Sequence, residues 1–387
     1  MARNNDAHVD VLHVVPAFFP TRGGIEVLVE NLTQKLNAEG LQRHAVLAPR
    51  ISGERPDNFW LGNTRVYSID APDPLQFAAT PHELVALITE RKLLAAILLN
   101  VQRVLETTKP RLLHLHGFSM VGHTASAVGR TRGIPHILHV HGKLEDAVSP
   151  RIQNQINTAR QVICVSEAVK ESVELDSGRI SDLRVIRNGQ DDALVALGSH
   201  ARTFKRTSIA MVGRLEPSKG FDIALRTFAG LLKQGYEFEV QLVGVGRDHE
   251  VLQRLVFDLG ISTSVHFHGR CDHRETLGIL AGSTCVVVPS SAYEGFSLVA
   301  LESAFLERPV IASNIGGLPE TVVHGVTGLI FDPHVPGALE RNLLRYLENE
   351  SLAREHGSNA RQRALKEFSL NRMANEIELV HAQALTG

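Results

Sequence analysis

Short runs of β-branched and aliphatic residues alternate with amphipathic helical patterns along nearly all of the 387 residues. This alternation is typical of βαβ units, because two parallel strands must be joined by a long crossover, usually a helix. Helices are predicted over Gly24–Ala38 and Pro81–Thr107, among others. Strands are predicted in the first half at Val9–Val15, His44–Leu47, Leu112–Leu115, His136–Val140, Val162–Val165 and Arg184–Ile186. The pattern therefore predicts an α/β fold built on parallel sheets.

The alternation is interrupted once and then starts again. The segment Gly189–Arg206 is polar and has no clear period, as is common where few contacts cross a domain boundary. Later strands are predicted at Ser208–Val212, Glu239–Val243, Val265–Phe267, Cys285–Val288, Val310–Ala312 and Gly328–Ile330. We therefore predict a Rossmann-like domain over residues 1–190, a linker over 191–206 and a second Rossmann-like domain over 207–367.

Composition excludes several classes of protein. Forty basic and 42 acidic residues give a net charge of −2, so the chain carries no overall field that would favour nucleic acid as a partner. Cys164, Cys271 and Cys285 are far apart and predict buried, reduced thiols, neither a zinc site nor a disulfide framework. No leader is recognised and no apolar run approaches the ~20 residues of a membrane span, so we expect a cytoplasmic protein.

The predicted helix Pro81–Thr107 leaves one alternative open. Arg91, Lys92 and Arg103 stand among many Leu residues, a composition that would also suit weak peripheral contact with the inner face of a membrane. A helix that packs its apolar face on the protein core is the favoured interpretation.

The segment Pro289–Pro309 carries the most informative local pattern. An apolar strand ends in a turn that contains Glu294 and Gly295, and a helix predicted to begin near Ser297 carries Glu302. A helix N-terminus after a strand attracts phosphate or electron-rich oxygens, and a glycine there permits close approach of a ligand. Two carboxylates nearby suit the hydroxyls of a sugar, although an ordinary αβ unit with two solvated carboxylates would show the same pattern.

A second pattern follows the first strand of the second half. Arg214 and Lys219 are five residues apart across a turn that contains Pro217, just before a predicted helix. Two cations at a helix start suit a diphosphate. The alternative is a pair of solvated charges in a loop.

The glycine patterns are weaker signals. Gly23 and Gly24 open a predicted helix after the first strand, where backbone amides can approach a diphosphate, but a plain βα turn would look the same. Gly244 and Gly246 follow another strand, yet the third glycine of a dinucleotide-binding loop is missing in both places.

Two predicted strands of the first half end in His-Gly, at His116 and His141. The carboxyl ends of parallel strands form the usual ligand-binding edge, so both imidazoles are candidate site residues. The alternative is that they merely cap loops. The histidines at these two strand ends do not show the spacing of a metal-binding motif, so no metal site is predicted.

Taken together and in this order, the motifs resemble the retaining nucleotide-sugar glycosyltransferases of family 4, which have the GT-B fold. The resemblance rests on the E-x7-E spacing from Glu294 to Glu302, on GRLEPSKG from Gly213 to Gly220, on the glycine loop, and on CVSEAVKES and VIRNGQD. It covers almost the whole chain and is tightest from Met211 to Asp332. Arg187 and Gln190 stand where the family commonly has Pro and Val.

The resemblance implies two Rossmann-like domains facing across a cleft, with a C-terminal helix over 368–387 that returns to the N-terminal domain. It assigns the diphosphate to Arg214 and Lys219, the sugar ring to Glu294 and the ribose to Glu302. The residues implied as catalytic are His141, Glu294, Arg214 and Lys219. Donor binding is assigned to Gly23, Gly24, Gly213, Arg270, Cys271, Gly295, Phe296, Ser297, Leu298 and Glu302. His116 and Glu26 are expected on the acceptor side, and no metal ion or other cofactor is expected.

The activity implied is transfer of a hexosyl or N-acetylhexosaminyl unit from a nucleoside-diphosphate sugar, UDP favoured, to a hydroxyl acceptor. The same resemblance implies retention at the anomeric carbon and front-face attack assisted by the leaving phosphate. It also implies a place in glycan, polysaccharide or glycolipid synthesis. Two alternatives stay open. A nucleotide-sugar epimerase of this fold would need no acceptor, and a non-catalytic binder would not need the complete set of charged residues.

Overall fold

The computed structural model of the chain describes residues 8–18, 23–50, 58–70, 84–144, 149–191 and 207–386, with the backbone alone over 84–93. The chain forms two compact units. The first comprises residues 1–188 with 370–387, and the second comprises 189–369. The predicted helix start at Pro81 and nearly all of the predicted linker lie outside the described residues.

The first unit is built on an eight-stranded sheet. Its strands are β1 (Val11–Val14), β2 (His44–Arg50), β3 (Asn58–Leu61), β4 (Thr64–Asp70), β5 (Leu112–His116), β6 (His136–Val140), β7 (Val162–Cys164) and β8 (Leu183–Val185). They lie in the order β3-β4-β2-β1-β5-β6-β7-β8, and every neighbouring pair is parallel except β3 with β4. The antiparallel hairpin β3–β4 was not predicted from the sequence.

The second unit is built on a six-stranded parallel sheet. Its strands are β9 (Ser208–Val212), β10 (Glu239–Val243), β11 (Val265–Gly269), β12 (Cys285–Val288), β13 (Val310–Ser313) and β14 (Gly328–Phe331). Their order is β11-β10-β9-β12-β13-β14. The prediction of two α/β units on parallel sheets is confirmed.

Helices connect the strands in both units. Those of the first unit are α1 (Gly24–Glu39), α2 (Leu84–Thr108), α3 (Met120–Thr131), α4 (Pro150–Thr158), α5 (Glu167–Ser177) and the last helix, α13 (Leu370–Thr386). Those of the second unit are α6 (Phe221–Lys233), α7 (His249–Asp258), α8 (His273–Gly282), α9 (Leu298–Phe305), α10 (Leu318–Thr321), α11 (Ala338–Leu347) and α12 (Glu350–Glu367), with a 3₁₀ turn at Pro217–Lys219.

The last helix belongs to the core of the first unit although it follows the whole second unit in sequence. Met373 and Ile377 of α13 pack with Leu32 of α1 against the strand residues Val11 and Leu112. All five side chains are buried, so their apolar area contributes the hydrophobic stabilisation that joins the chain end to the first sheet. The predicted return of this helix is confirmed.

Helix α2 packs on the protein rather than offering only an exposed apolar face. Ile97, Val101 and Leu105 are buried at helical spacing, whereas Leu99 is exposed. Within the described part of the chain, none of the helices combines the length and the hydrophobicity that a bilayer crossing requires.

The cysteines are free thiols. Burial raises the pKa of Cys164 and of Cys285 to about 12, so both stay protonated at neutral pH. Cys271 is only partly buried, and the expectation of a buried thiol is wrong there because it follows the end of β11.

A layer of buried imidazoles distinguishes the interior of the first unit. Along β5, Leu112, His114 and His116 point to one face of the sheet because side chains alternate in a strand. Leu112 lies in the apolar core, and His114 hydrogen-bonds His381 of α13 at 3.0 Å. This face therefore changes from apolar side chains to imidazoles towards the strand ends. Its buried histidines are His13, His44, His114, His116, His139 and His381.

We predict that acid destabilises the first unit through His44 and His136. Burial lowers the pKa of each to about 4. The charge of Asp10 raises the pKa of His44 in part, whereas the charges of Arg130 and Arg179 lower the pKa of His136 further. Because the unfolded chain takes up protons first, this stability is complete above pH ~6.5 and is lost as pH falls towards 4. Between pH 7 and 5 the loss should reach at most about 2 kcal/mol for each residue.

Urea unfolding followed by fluorescence measures this loss, since Trp60, the single tryptophan, belongs to the first unit. His136→Asn should reduce the pH dependence, whereas the exposed His334→Ala in the second unit should not. Equal midpoints at pH 7 and pH 5 would contradict the prediction.

Candidate active site

The candidate site of the second unit lies where the strand order of its sheet reverses. Strands β9, β10 and β11 follow one another outward, and β12 then returns to pair with β9 on its other side. At such a switch point the loops leaving two neighbouring strands diverge and open a crevice at their carboxyl ends, where α/β proteins bind ligands. Lys219 follows β9, and Glu294 follows β12.

Helix α9 begins as the sequence predicts. Ser297 is its N-cap, and its hydroxyl accepts a hydrogen bond from the backbone N–H of Ala300 at 3.2 Å. Gly295 and Phe296, which precede the cap, are buried, and the Phe296 ring packs edge-to-face on Phe368 with centroids 5.9 Å apart. Phe296 therefore makes a packing contact, and Leu298, the first residue of the helix, is partly exposed.

The two loops meet in an ion pair. The ammonium of Lys219 lies 2.6 Å from Oε2 of Glu294, and the hydroxyl of Ser290 donates to the same oxygen at 3.2 Å. Both charged side chains are largely shielded, with 27% and 16% of their surface exposed. Shielding strengthens the attraction relative to an exposed pair, so these groups position each other.

Backbone hydrogen bonds bring the loops to this distance. The N–H groups of Ser291 and Ala292 both donate to the carbonyl of Ser218, at 3.0 and 3.3 Å. Gly220 has a φ of +63°, and a Cβ there would collide with the carbonyl of Pro289. Only glycine combines that conformation with that close approach.

A third loop supports Glu294 from its backbone side. The N–H of Gly317 donates to the Glu294 carbonyl at 2.8 Å. Gly316 has a φ of +56°, and a Cβ there would collide with the same carbonyl. The carboxylate is therefore held by its side-chain partners and its backbone at once.

Glu302 is buried inside the second unit and has its own partners. Its Oε1 lies 2.9 Å from Nε2 of His273, the first residue of α8, and 3.5 Å from the amide nitrogen of Gln190. The side chain is 9% exposed, so a carboxylate without such partners would be strongly destabilising there. Gln190 is one of the two positions that depart from the family pattern.

Arg214 differs from Lys219 in its surroundings. Its side chain is 70% exposed and pairs with Glu216 at 3.0 Å, so it can change position at little cost. The backbone N–H of Gly213 donates to the Val243 carbonyl at 3.0 Å, within the sheet.

The predicted nucleobase contact lies after β11. Gly269 ends the strand with a φ of +64°, Arg270 is exposed, and the thiol of Cys271 lies 3.9 Å from the His268 carbonyl. The structure thus leaves the Arg270 side chain at the surface of the second unit.

In the first unit the structure brings His116 and His141 together. Nδ1 of His116 lies 3.2 Å from Nε2 of His141. His116 is fully buried, whereas His141, just past the end of β6, is partly exposed. Burial lowers the pKa of His141 to about 3, so its imidazole is neutral at physiological pH and can accept or donate a hydrogen bond without charge.

The glycine loop of the first unit is partly satisfied by its own helix. The carboxylate of Glu26 accepts the backbone N–H of Gly23 at 2.9 Å and so caps α1, which begins at Gly24. The backbone amide of Gly23 was predicted to approach a diphosphate, but here it already donates to Glu26. Glu26 therefore stabilises the start of α1.

Comparison with known proteins agrees with these motifs over both units. A family model described as Glycosyltransferase Family 4 matches residues 22–194, and one described as Glycosyl transferases group 1 matches residues 199–363. A glycogen synthase of Mycobacterium tuberculosis is 27% identical over 292 residues, 72% of this chain and 70% of the relative. The chain belongs to the family 4-like glycosyltransferases of the GT-B type.

Solved structures support the same fold for this glycosyltransferase. Sucrose-phosphate synthase from Thermosynechococcus elongatus superposes with a TM-score of 0.80 at 21% identity, over 97% of this chain and 98% of that one. HepE from Anabaena, in complex with UDP-glucose, superposes with a TM-score of 0.72 at 22% identity, over 97% and 100% of the two chains. At these identities the likeness shows the GT-B fold alone.

Several supporting residues of the glycosyltransferase were missed in the sequence. Ser290 and His273 are ordinary polar residues until the fold places them beside Glu294 and Glu302. Gly316 precedes a second glycine, and that pair after a predicted strand was the available signal. The partner that each would support lies on another βα loop, and sequence spacing does not reveal it.

We predict that Gly316→Ala destabilises the second unit more than Gly325→Ala does. Both glycines have positive φ, +56° and +72°, so each variant carries the backbone strain of about 1–3 kcal/mol. Only the Cβ at position 316 also meets the Glu294 carbonyl, since position 325 opens onto free space. Calorimetric unfolding of both variants measures the difference. Equal destabilisation would show that the Gly316 contact has no energetic importance.

Proposed function

We propose that this glycosyltransferase transfers a hexosyl or N-acetylhexosaminyl unit from a UDP-sugar to a hydroxyl acceptor, with retention at the anomeric carbon. The Lys219–Glu294 ion pair is the observation that carries the proposal. It places a cation suited to a diphosphate 2.6 Å from a carboxylate suited to sugar hydroxyls. A nucleotide sugar offers these two chemical groups side by side.

The pair keeps binding capacity on both sides. An ammonium has three donors and gives one to Glu294, so the others remain for phosphate oxygens. The second carboxylate oxygen of Glu294 can accept sugar hydroxyls, since Lys219 and Ser290 both contact Oε2. Arg214 would leave the partly exposed Glu216 for the stronger charge of the diphosphate.

The ribose is assigned to Glu302 on related grounds. Its Oε1 is engaged by His273 and Gln190, which fixes the carboxylate and leaves Oε2 to accept ribose hydroxyls. The complex of HepE with UDP-glucose supports a uridine nucleotide as the donor. The glycosyl acceptor is proposed only as a hydroxyl, because the described residues favour no particular class.

In the proposed step the bond between the anomeric carbon and the phosphate oxygen breaks while the acceptor oxygen bonds the same face of that carbon. The acceptor proton passes to the leaving phosphate oxygen, and the products are the glycoside and UDP. Lys219 and Arg214 stabilise the charge that develops on the diphosphate, the task that a divalent ion performs elsewhere. Glu294 acts through hydrogen bonds and forms no covalent adduct.

His141 is proposed to contact substrate from the first unit. Its neutral imidazole can orient a hydroxyl by one hydrogen bond while His116 holds the other side of the ring. The role of His116 is then to position His141, since His116 itself is fully buried.

We predict that Glu302→Ala weakens donor binding. A charge-assisted hydrogen bond contributes roughly 1.5–3 kcal/mol, so the Kd for the preferred UDP-sugar should rise about 10- to 100-fold. Calorimetry with UDP-, GDP- and ADP-sugars in the presence of EDTA measures this and tests whether a divalent ion is needed. Glu350→Ala, which removes an exposed carboxylate that pairs with Arg354 at 3.3 Å, is the control and should bind like the parent.

Binding that is equal in parent and Glu302→Ala would remove the ribose assignment. Absence of binding by every donor in the parent, with and without acceptor candidates, would overturn the UDP-sugar proposal itself.

We predict that the product keeps the anomeric configuration of the donor. An α-linked donor should give an α-glycoside, because attack and departure take place on one face of the sugar. Proton NMR of the first-formed product resolves the anomer. An inverted product would refute the proposed step, and a glycosylated Glu294 trapped and found by mass spectrometry would replace it with a double displacement.

A further inference from the structure

Two His-x-His segments lie side by side at the ends of neighbouring strands in the first unit. His114 and His116 belong to β5, and His139 and His141 lie at the end of β6. The strands pair in parallel with His116 opposite His139. Residues i and i+2 of a strand share a face, so this register gathers the imidazoles of both segments on one side of the sheet.

Three of these imidazoles converge closely enough to share one ion. One ring nitrogen each of His116, His139 and His141 lies within 4.8 Å of the others. Nδ1 of His116 and Nε2 of His141 are 3.2 Å apart. Zinc bonds imidazole nitrogen at about 2.0–2.1 Å, so two nitrogens on a tetrahedral ion lie about 3.3 Å apart.

His139 provides the independent sign of a ligand. Its side chain is fully buried, and neither ring nitrogen has a hydrogen-bond partner among the described residues. Its ring stacks on that of His141 with centroids 4.3 Å apart, and one of its nitrogens is among those that converge within 4.8 Å. Buried polar side-chain atoms almost always have a partner, and an imidazole with both nitrogens unpaired is a marked exception.

The outer contacts favour coordination by His116. Its Nε2 lies 3.0 Å from Nδ1 of His13, whose Nε2 in turn lies 3.1 Å from Nδ1 of His44. A ligand imidazole usually donates its second N–H to such an outer partner, which fixes the tautomer and the ring orientation. With Nε2 donating to His13, Nδ1 of His116 is left as a lone-pair donor on the side of His141.

We propose that His116, His139 and His141 bind a zinc ion through one ring nitrogen each. Partial exposure of His141 gives the ion a way in and leaves a fourth position for water or another ligand. Three neutral imidazoles suit zinc and its neighbours in the transition series, whereas Mg²⁺ prefers oxygen ligands. A second group, His13, His114 and His116, also converges within 4.8 Å but is buried throughout, so it offers no comparable entry.

The proposal extends the proposed function, in which His141 contacts substrate. An ion bound to Nε2 of His141 replaces the hydrogen bond from that nitrogen to Nδ1 of His116, which holds the ring in place for the substrate contact. Zinc is therefore proposed as an inhibitor of transfer and no part of its chemistry.

The test uses full-length protein without a histidine tag, dialysed against EDTA and then freed of it. Calorimetric titration with zinc chloride should show one saturable site per chain, and magnesium chloride should show none. His139→Ala should raise the Kd for zinc by at least about 100-fold, because loss of an outer partner alone costs 10- to 100-fold. His334→Ala, which removes an exposed histidine of the second unit, should bind like the parent.

Cobalt(II) provides a readout that does not depend on activity, since a low-symmetry nitrogen site gives it a visible absorption that zinc displaces. This absorption should be absent in His139→Ala. If that variant does not fold by circular dichroism, His141→Ala tests the site from its exposed edge. Zinc binding of parental strength in a folded His139→Ala or His141→Ala variant would overturn the proposal, as would no saturable binding by the parent.

Transfer measured across the same zinc titration separates the two proposals. Inhibition that rises in parallel with zinc occupancy measured by calorimetry supports both the zinc site and the substrate contact of His141. Zinc binding without inhibition leaves the metal site standing and counts against the substrate contact of His141. Donor binding by the second unit is measured separately and does not depend on either result.

Discussion

The candidate site of the second unit depends on the adjacency of β9 and β12. These strands are far apart in sequence, but the reversal of strand order makes them neighbours, so the loops that follow them run side by side. The carbonyl of Ser218 then accepts two N–H groups from the loop after β12, and Lys219 reaches Glu294. Topology thus supplies an ion pair that neither loop could form alone.

Both candidate carboxylates have hydrogen-bond or charged partners within the protein before any ligand binds. Glu294 has Lys219 and Ser290 on one oxygen, and Glu302 has His273 and Gln190 on one oxygen. A carboxylate held in this way loses little freedom on binding, so its remaining oxygen is preorganised for a hydroxyl. The exposed Arg214, paired with Glu216, is the least enclosed charged group of the same set.

Most of the fold could be predicted because the central strands of both sheets are buried and rich in apolar residues. The predicted bounds of β6, β9, β10 and β12 coincide with the observed ones. The hairpin β3–β4 was missed, because its edge strand Asn58–Leu61 is only partly buried and its partner contains Thr64 and Arg65 among the apolar residues. A weak alternation at a sheet edge carries little signal, and the turn at Gly62 was the remaining clue.

The site divides in the same way. Residues that belong to a local motif, such as Lys219 or Glu302, could be proposed as site residues from spacing and helix starts. Their partners were not, because His273 and Gln190 reach Glu302 from other segments and only the folded chain reveals those contacts. His116 and His141 were each considered as the end of one strand, so the register that sets two His-x-His segments beside each other was overlooked.

The buried imidazoles of the first unit impose a constraint of their own. Each neutral ring carries a single N–H, so in the series His44, His13, His116 and His141 the direction of one hydrogen bond determines the direction of the next. Only two arrangements satisfy every contact, one with all protons directed towards His141 and one with all directed away. A ligand that prefers one form of His141 therefore selects the tautomer of His44 deep in the sheet. An apolar core of equal volume would avoid the desolvation cost of burying these polar rings. It could not, however, couple a ligand at His141 to the tautomer of His44.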